Sequence, residues 1–145
     1  MMNDKILIVD DEEAFLKTSS FILRGAGYKN VVTESDSRKV EKLISENEFS
    51  VIALDITMPF ITGMELLDLI KSRHQHSIVI MITAHNDIET AVECIKKGAY
   101  DFITKPVKRE DLMLRFRNAL EHREILKESK SLREHILSED LEYPE

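Results

Sequence analysis

Cysteine, long apolar runs and an excess of basic charge are all scarce in this chain of 145 residues. A single cysteine, Cys94, excludes an internal disulfide framework and a cysteine-based zinc site. It also fits a reducing compartment. The longest apolar run, Ile78–Ile82, falls far short of the roughly 18 residues that a membrane helix needs. Ile6–Val9 is too short for the core of a signal peptide, and Asp10-Asp11-Glu12-Glu13 follows it. The expectation is a cytoplasmic protein with no membrane span. Net charge is −7 and the pI is near 5.3, which argues against nucleic acid as a direct partner, because phosphate binding needs a basic face. No internal repeat and no low-complexity segment is visible. With 43% hydrophobic and 32% charged residues, the bulk of the chain reads as globular rather than disordered.

What the chain does have is an alternation of short apolar runs and amphipathic stretches. The runs are Ile6–Val9, Val31-Val32, Val51–Leu54, Ile78–Ile82 and Phe102-Ile103. Continuous β-branched runs suit strands buried on both faces, as in a parallel sheet. Between them the spacing is helical. Ala14, Phe15, Thr18, Phe21, Ile22 and Leu23 recur before Gly25 and Gly27. Val40, Leu43 and Ile44 follow a Ser35-Asp36-Ser37 cap. Met64, Leu66, Leu67 and Ile70 follow Thr62-Gly63, and Ile88, Ala91, Val92 and Ile95 run from Asn86-Asp87 to Gly98. Leu112, Phe116, Ala119 and Leu120 follow Pro106. Five βα units with short links predict a doubly wound α/β fold with helices on both faces.

The last helix has no stop signal. Glu121–Leu137 contains neither glycine nor proline, and Ile125, Leu126, Leu132, Ile136 and Leu137 keep near-heptad spacing among mixed charges. That pattern fits either a solvated helix end or a helical linker that pairs with its twin in a dimer. Ser138–Glu145 reads as an irregular, acidic end. The expected organisation is therefore a domain over 1–122 and a helical linker with an acidic tail over 123–145.

Ligands of open α/β sheets bind outside the carboxyl ends of the strands. The first strand ends in Asp10-Asp11, the third in Asp55, the fourth in Thr83 and the fifth in Thr104-Lys105-Pro106. If the first and third strands are neighbours, three carboxylates converge, and such a cluster normally waits for a hard cation. Oxygen-only ligands select Mg²⁺, with Mn²⁺ as a substitute. A lysine and a hydroxyl beside them make a phosphoryl-transfer site in which a carboxylate can be the nucleophile. Each residue alone has a plainer reading, as a helix cap, a strand end or a surface charge. The combination in order at four strand ends is harder to reach by accident.

Ile-Leu-Ile-Val-Asp-Asp over 6–11, Asp-Ile-Thr-Met-Pro over 55–59 with Gly63 beyond it, Thr83-Ala84, and the run from Lys97 to Pro106 form a set. Together they resemble the receiver domain of two-component response regulators over about 4–122. The resemblance implies a flavodoxin-like five-stranded parallel sheet in the order 2-1-3-4-5. It implies that Asp55 accepts a phosphoryl group from a sensor histidine kinase or a phosphotransfer protein. It further implies that Asp11, Asp55 and the backbone carbonyl of Thr57 bind Mg²⁺ directly, while Asp10 holds a metal-bound water. Lys105 and Thr83 would contact the phosphoryl group, and Phe102 would fill the space that Thr83 vacates. Phe102 has no hydroxyl where many relatives carry tyrosine. Lys105-Pro106 matches a bond that is cis in the family. Such a domain is a switch rather than a conventional enzyme, with self-phosphorylation and slow autodephosphorylation of its own, and commonly forms a phosphorylation-dependent homodimer through helix four, strand five and helix five.

Arg117–Leu137 resembles the helix that joins receivers to the ATPase domains of bacterial enhancer-binding transcription activators, which implies a role in transcription regulation. Two other classes compete. One is a phosphorylation-independent interaction module of the same fold, which would usually have lost an acidic residue or the lysine. The other is a small α/β enzyme. A flavin carrier would want a Ser/Thr/Gly-rich loop after strand one, and an aspartate-nucleophile phosphatase would want Asp-x-Asp there. The scattered histidines have no metal spacing. His85, two residues after Thr83, is placed to influence water access to the phosphoryl group.

Overall fold

A computed structural model describes residues 1–74 and 76–142, with side chains to residue 137. Five strands, β1 (Lys5–Val9), β2 (Asn30–Glu34), β3 (Val51–Leu54), β4 (Ile78–Thr83) and β5 (Asp101–Thr104), pair in parallel in the order β2-β1-β3-β4-β5. The helices are α1 (Glu13–Gly25), α2 (Val40–Glu46), α3 (Gly63–Arg73), α4 (Ile88–Lys96) and α5 (Arg109–Glu142). A 3₁₀ turn over Ser37–Lys39, capped by the Asp36 side chain, leads into α2.

The continuous apolar strands divide by parity. Ile6, Ile8, Val51, Ala53, Ile80 and Ile82 face α1 and α5. Leu7, Val9, Ile52, Leu54, Val79 and Met81 face α2, α3 and α4. Side chains alternate across a strand, so two covered faces demand apolar residues at every position, and β1, β3 and β4 supply them. β2 lies on the edge and alternates.

Local chemistry sets the helix starts. Thr62 and Glu65 form a reciprocal capping box at α3, and Asp87 accepts from the Thr90 amide at α4. Two helices depart from the face expected, α1 in part, since Ile22 and Leu23 are buried and Phe15 packs on the core as expected. On α1 the buried residues are Leu16, Ser19, Ile22 and Leu23, whereas Ala14 and Thr18 are exposed and Phe21 is 73% exposed. Ser19 tolerates the interior because its hydroxyl donates to the Phe15 carbonyl at 2.6 Å. On α4 the buried residue is Cys94, and Ile88, Val92 and Ile95 face outward. α5 buries Leu112, Phe116, Ala119 and Leu120 as expected. It then runs to Glu142, into the segment expected to be irregular; the remainder of that expected tail, 143–145, lies outside the described residues.

Candidate functional site

Strand register brings the chemistry together. Val9 pairs with Leu54 across β1 and β3, so Asp10 and Asp55 leave the sheet side by side. Thr83 and Thr104 pair across β4 and β5, which places Lys105 just beyond Thr83. Asp10, Asp11 and Asp55 each present a carboxylate oxygen within 4.8 Å of the others. Among the described residues this is the one such group of acidic, histidine or cysteine ligands. The donors are all oxygen, two of the aspartates are buried, and Asp11 is open to solvent. That donor set fits a hard divalent cation.

Lys105 sits at the centre, its side chain 12% exposed. It donates to Asp10 Oδ2 at 2.6 Å and to Glu12 Oε1 at 2.9 Å. Asp55 Oδ2 lies farther off, at 3.6 Å. The Phe15 ring lies under the ammonium, 4.4 Å from its centroid. Burial pulls the lysine pKa down, but hydrogen bonds to Asp10 and Glu12 outweigh it and hold the group above its usual value. Burial raises the Asp10 pKa and the neighbouring Asp55 charge adds to the rise; both act against the hydrogen bonds from Lys105 and the Glu12 amide. The Lys105–Pro106 peptide is cis.

Backbone packing holds Asp55 in place. A side chain at Gly63 would overlap the Asp55 carbonyl, so the turn from β3 into α3 closes only with glycine there. Ser37, from the turn before α2, donates to the Pro59 carbonyl at 2.6 Å and accepts from the Ile61 amide at 3.1 Å, tying down the same loop. Between them Phe60 takes a positive φ of 72°, its ring under the Arg38 guanidinium.

Thr83 is buried, and its hydroxyl accepts from the His85 amide. Phe102 is half-buried against the α2–α4 side of the core. Thr57 is exposed on the β3–α3 loop. Six of the seven expected site residues therefore lie at the carboxyl ends of β1, β3, β4 and β5 or on the loops that leave them, and the seventh, Phe102, lies within β5. Two contacts were missed, although Thr57 and His85 were themselves singled out. Glu12 closes on Lys105, and the Thr57 hydroxyl pairs with the His85 ring at 2.5 Å across the mouth of the site. The signal for Glu12 was its place between the paired aspartates and the start of α1. Nothing in the sequence pairs residues 57 and 85.

The opposite end of the sheet carries different chemistry. Arg123 is 4% exposed and donates to the His76 carbonyl at 3.1 Å and to Glu48 at 3.1 Å. A cleft of about 550 Å³ opens beside it, far from the acidic cluster.

An acidic cluster with a central lysine, set at the carboxyl edge of a 2-1-3-4-5 sheet, defines a class of phosphoryl-responsive switch domains. Comparison with known proteins makes the assignment specific. The model of the response regulator receiver domain matches residues 6–117, and the chain belongs to that family. It is a signalling switch domain of two-component systems rather than a conventional enzyme. A putative response regulator, NtrX-like, from Rickettsia felis is 35% identical over 134 residues, which is 91% of this chain and 28% of that protein. The nitrogen assimilation regulatory protein NtrX of Azorhizobium caulinodans is 38% identical over 136 residues, 92% of this chain and 30% of that one. The chain thus spans less than a third of the length of these relatives. The beryllofluoride-activated NtrC4 receiver domain dimer superposes with a TM-score of 0.79 at 41% identity, covering 85% of this chain and 99% of that one. No helix among the described residues is long and apolar enough to cross a membrane.

Proposed function

We propose that the chain takes a phosphoryl group from a phosphohistidine of a sensor histidine kinase or phosphotransfer protein onto Asp55. The observation that carries this reading is Lys105 held between Asp10 and Asp55, beside three converging carboxylates and the buried Thr83 hydroxyl. An Asp55 oxygen attacks phosphorus, the P–N bond breaks, and the imidazole leaves with the electron pair, giving an acyl phosphate. Asp11, Asp55 and the Thr57 carbonyl would hold Mg²⁺ directly, or Mn²⁺ in its place, and Asp10 would hold a water bound to it. The bound cation supplies neutralisation of the transferring oxygens. Small phosphodonors serve the same chemistry, and water slowly hydrolyses the acyl phosphate, returning the Asp55 carboxylate and releasing inorganic phosphate.

The phosphoryl group adds roughly −1.5 to −2 charges to a site already rich in carboxylates. Lys105 moves onto it and the Thr83 hydroxyl turns inward to donate to it. Phe102, half-buried beside them, packs into the vacated volume. The change is a shift between two populations, set by contacts made in only one of them. It reaches the surface of α4, β5 and α5. There Ile88, Val92 and Ile95 lie exposed, and Tyr100 stacks on His122 of α5 at 4.8 Å between ring centroids. This surface forms the phosphorylation-dependent homodimer; dimerisation as such, though not its surface, is supported by the beryllofluoride-activated NtrC4 receiver domain dimer. Residues 1–122 form the receiver and 123–145 the linker and tail. The linker passes the change to an output domain that controls transcription, as the regulatory names of the relatives suggest.

The test is addition of Mg²⁺ and then beryllofluoride to the full chain, followed by amide NMR and sedimentation. The expected result is Mg²⁺-dependent shifts at residues 10–12 and 55–57, further shifts at 83–85 and 102–105 with beryllofluoride, and passage from monomer to dimer. Shifts confined to the acidic residues, with no change at 83 or 102, would overturn the switch.

A further inference from the structure

We propose that Glu12 is a positioning residue that parks Lys105 on the α1 side of the site and must release it before phosphoryl transfer. The inference rests on Asp55 being the acceptor. Every short contact of the ammonium is made toward α1. Asp10 and Glu12 accept from it at 2.6 and 2.9 Å, and the Phe15 ring lies beneath it. Asp55, at 3.6 Å, is beyond hydrogen-bond reach. Asp10 fixes the arrangement from both ends, because its second oxygen accepts the Glu12 amide at 2.9 Å. Backbone and side chain of Glu12 thereby form a closed loop through Asp10 and Lys105.

The Glu12 side chain is 63% exposed, unlike its partners Asp10 at 1% and Lys105 at 12%. It is the one member of the loop that can swing into water at little cost. In the resting site it occupies the donor capacity of a lysine that burial would otherwise leave short of partners. When charge develops at Asp55, the same bond competes with the phosphoryl oxygens for the ammonium. Glu12 thus sets how readily Lys105 is recruited, while Asp10 stays bound on its other side.

A glutamine at this place keeps the size and removes the charge that competes. The test compares phosphoryl uptake from acetyl phosphate with Mg²⁺ in wild type, Glu12→Gln and Glu13→Gln, across donor concentration. Glu13 is a neighbouring exposed carboxylate with no contact to Lys105 among its ion pairs or hydrogen bonds. The expected result is a saturating rate about three- to fivefold higher in Glu12→Gln, the scale of one exposed ion pair, with the half-saturating concentration unchanged. Glu13→Gln changes at most the half-saturating concentration, as removal of a mere rim charge would. A second readout needs no phosphoryl group: the Lys105 ¹³Cε resonance of the resting chain moves in Glu12→Gln and stays in Glu13→Gln. Equal effects of the two variants, or a saturating rate in Glu12→Gln at or below wild type, would overturn the proposal. A wild type that takes up no phosphoryl group overturns the acceptor reading instead, and the Lys105 resonance then decides whether Glu12 holds the lysine.

Discussion

At the scale of single residues, Asp10 carries a conflict between placement and charge. It is 1% exposed and holds two hydrogen bonds, yet burial and the nearby Asp55 raise its pKa above the ordinary 3.8. A group with a raised folded-state pKa binds protons more tightly in the folded chain than in the unfolded one. Folding stability from Asp10 therefore rises as pH falls from neutral toward 3.8, and is lost as pH climbs through the folded value. Asp10→Asn removes that dependence. Urea denaturation should show the variant gaining on wild type at pH 7 and the gap narrowing toward acid pH. A gap that is constant with pH would contradict the assignment of strain to this carboxylate. Lys105 has the same sense at a higher pH: its raised pKa gives stability that is complete below 10.5 and lost only above it, so it does not disturb the acid-side comparison.

At the scale of elements, the sheet was legible because its cause is simple. Strands covered on both faces must be apolar throughout, and Ile6–Val9, Val51–Leu54 and Ile78–Ile82 read that way directly. Helix faces were less legible. On α4 the apolar spacing of Ile88, Val92 and Ile95 looked like a core stripe but points outward, while one small residue, Cys94, packs the helix down. On α1 a buried serine satisfied by its own helix shifted the inner face by a residue. The strand-end residues of the site were legible as a set, since topology alone places them. Glu12, and the pairing of Thr57 with His85, depend on side-chain reach across loops, which no spacing encodes.

Arg123 belongs to this second kind. It lies where α5 leaves the sheet, and its guanidinium ties the helix to the loops before β3 and β4 through Glu48 and His76. Hydrogen bonds from a charged group are worth about 1.5–3 kcal/mol, so Arg123→Met should destabilise the chain by about 2 kcal/mol in urea denaturation. Amide exchange across 124–134 should quicken with it. Glu48→Ala removes only the 82%-exposed partner and should stay within about 0.5 kcal/mol of wild type. Unchanged exchange in Arg123→Met would show that the helix end is held by something else.

At the scale of the whole molecule, the two ends of the sheet divide the labour. The carboxyl end gathers Asp10, Asp11, Asp55, Thr83 and Lys105. The amino end fastens the outgoing helix through Arg123. Between them lie Phe102, half-buried on β5, and the outward apolar face of α4. That middle is a packed route from the site to the helix, since Phe102 and Cys94 share one side of the core and Asp101 of β5 pairs with Arg115 of α5. On the proposed function the chain is a lever whose input is chemical and whose output is packing.

The input decides the rest. The most direct measurement is the intact mass of the full chain after incubation with acetyl phosphate, for wild type and Asp55→Asn, with Mg²⁺ and with the cation chelated. Capture on Asp55 predicts one phosphoryl group on wild type with Mg²⁺, and none on Asp55→Asn or on the chelated sample. A phosphoryl group on Asp55→Asn, or one gained equally without the cation, would contradict it.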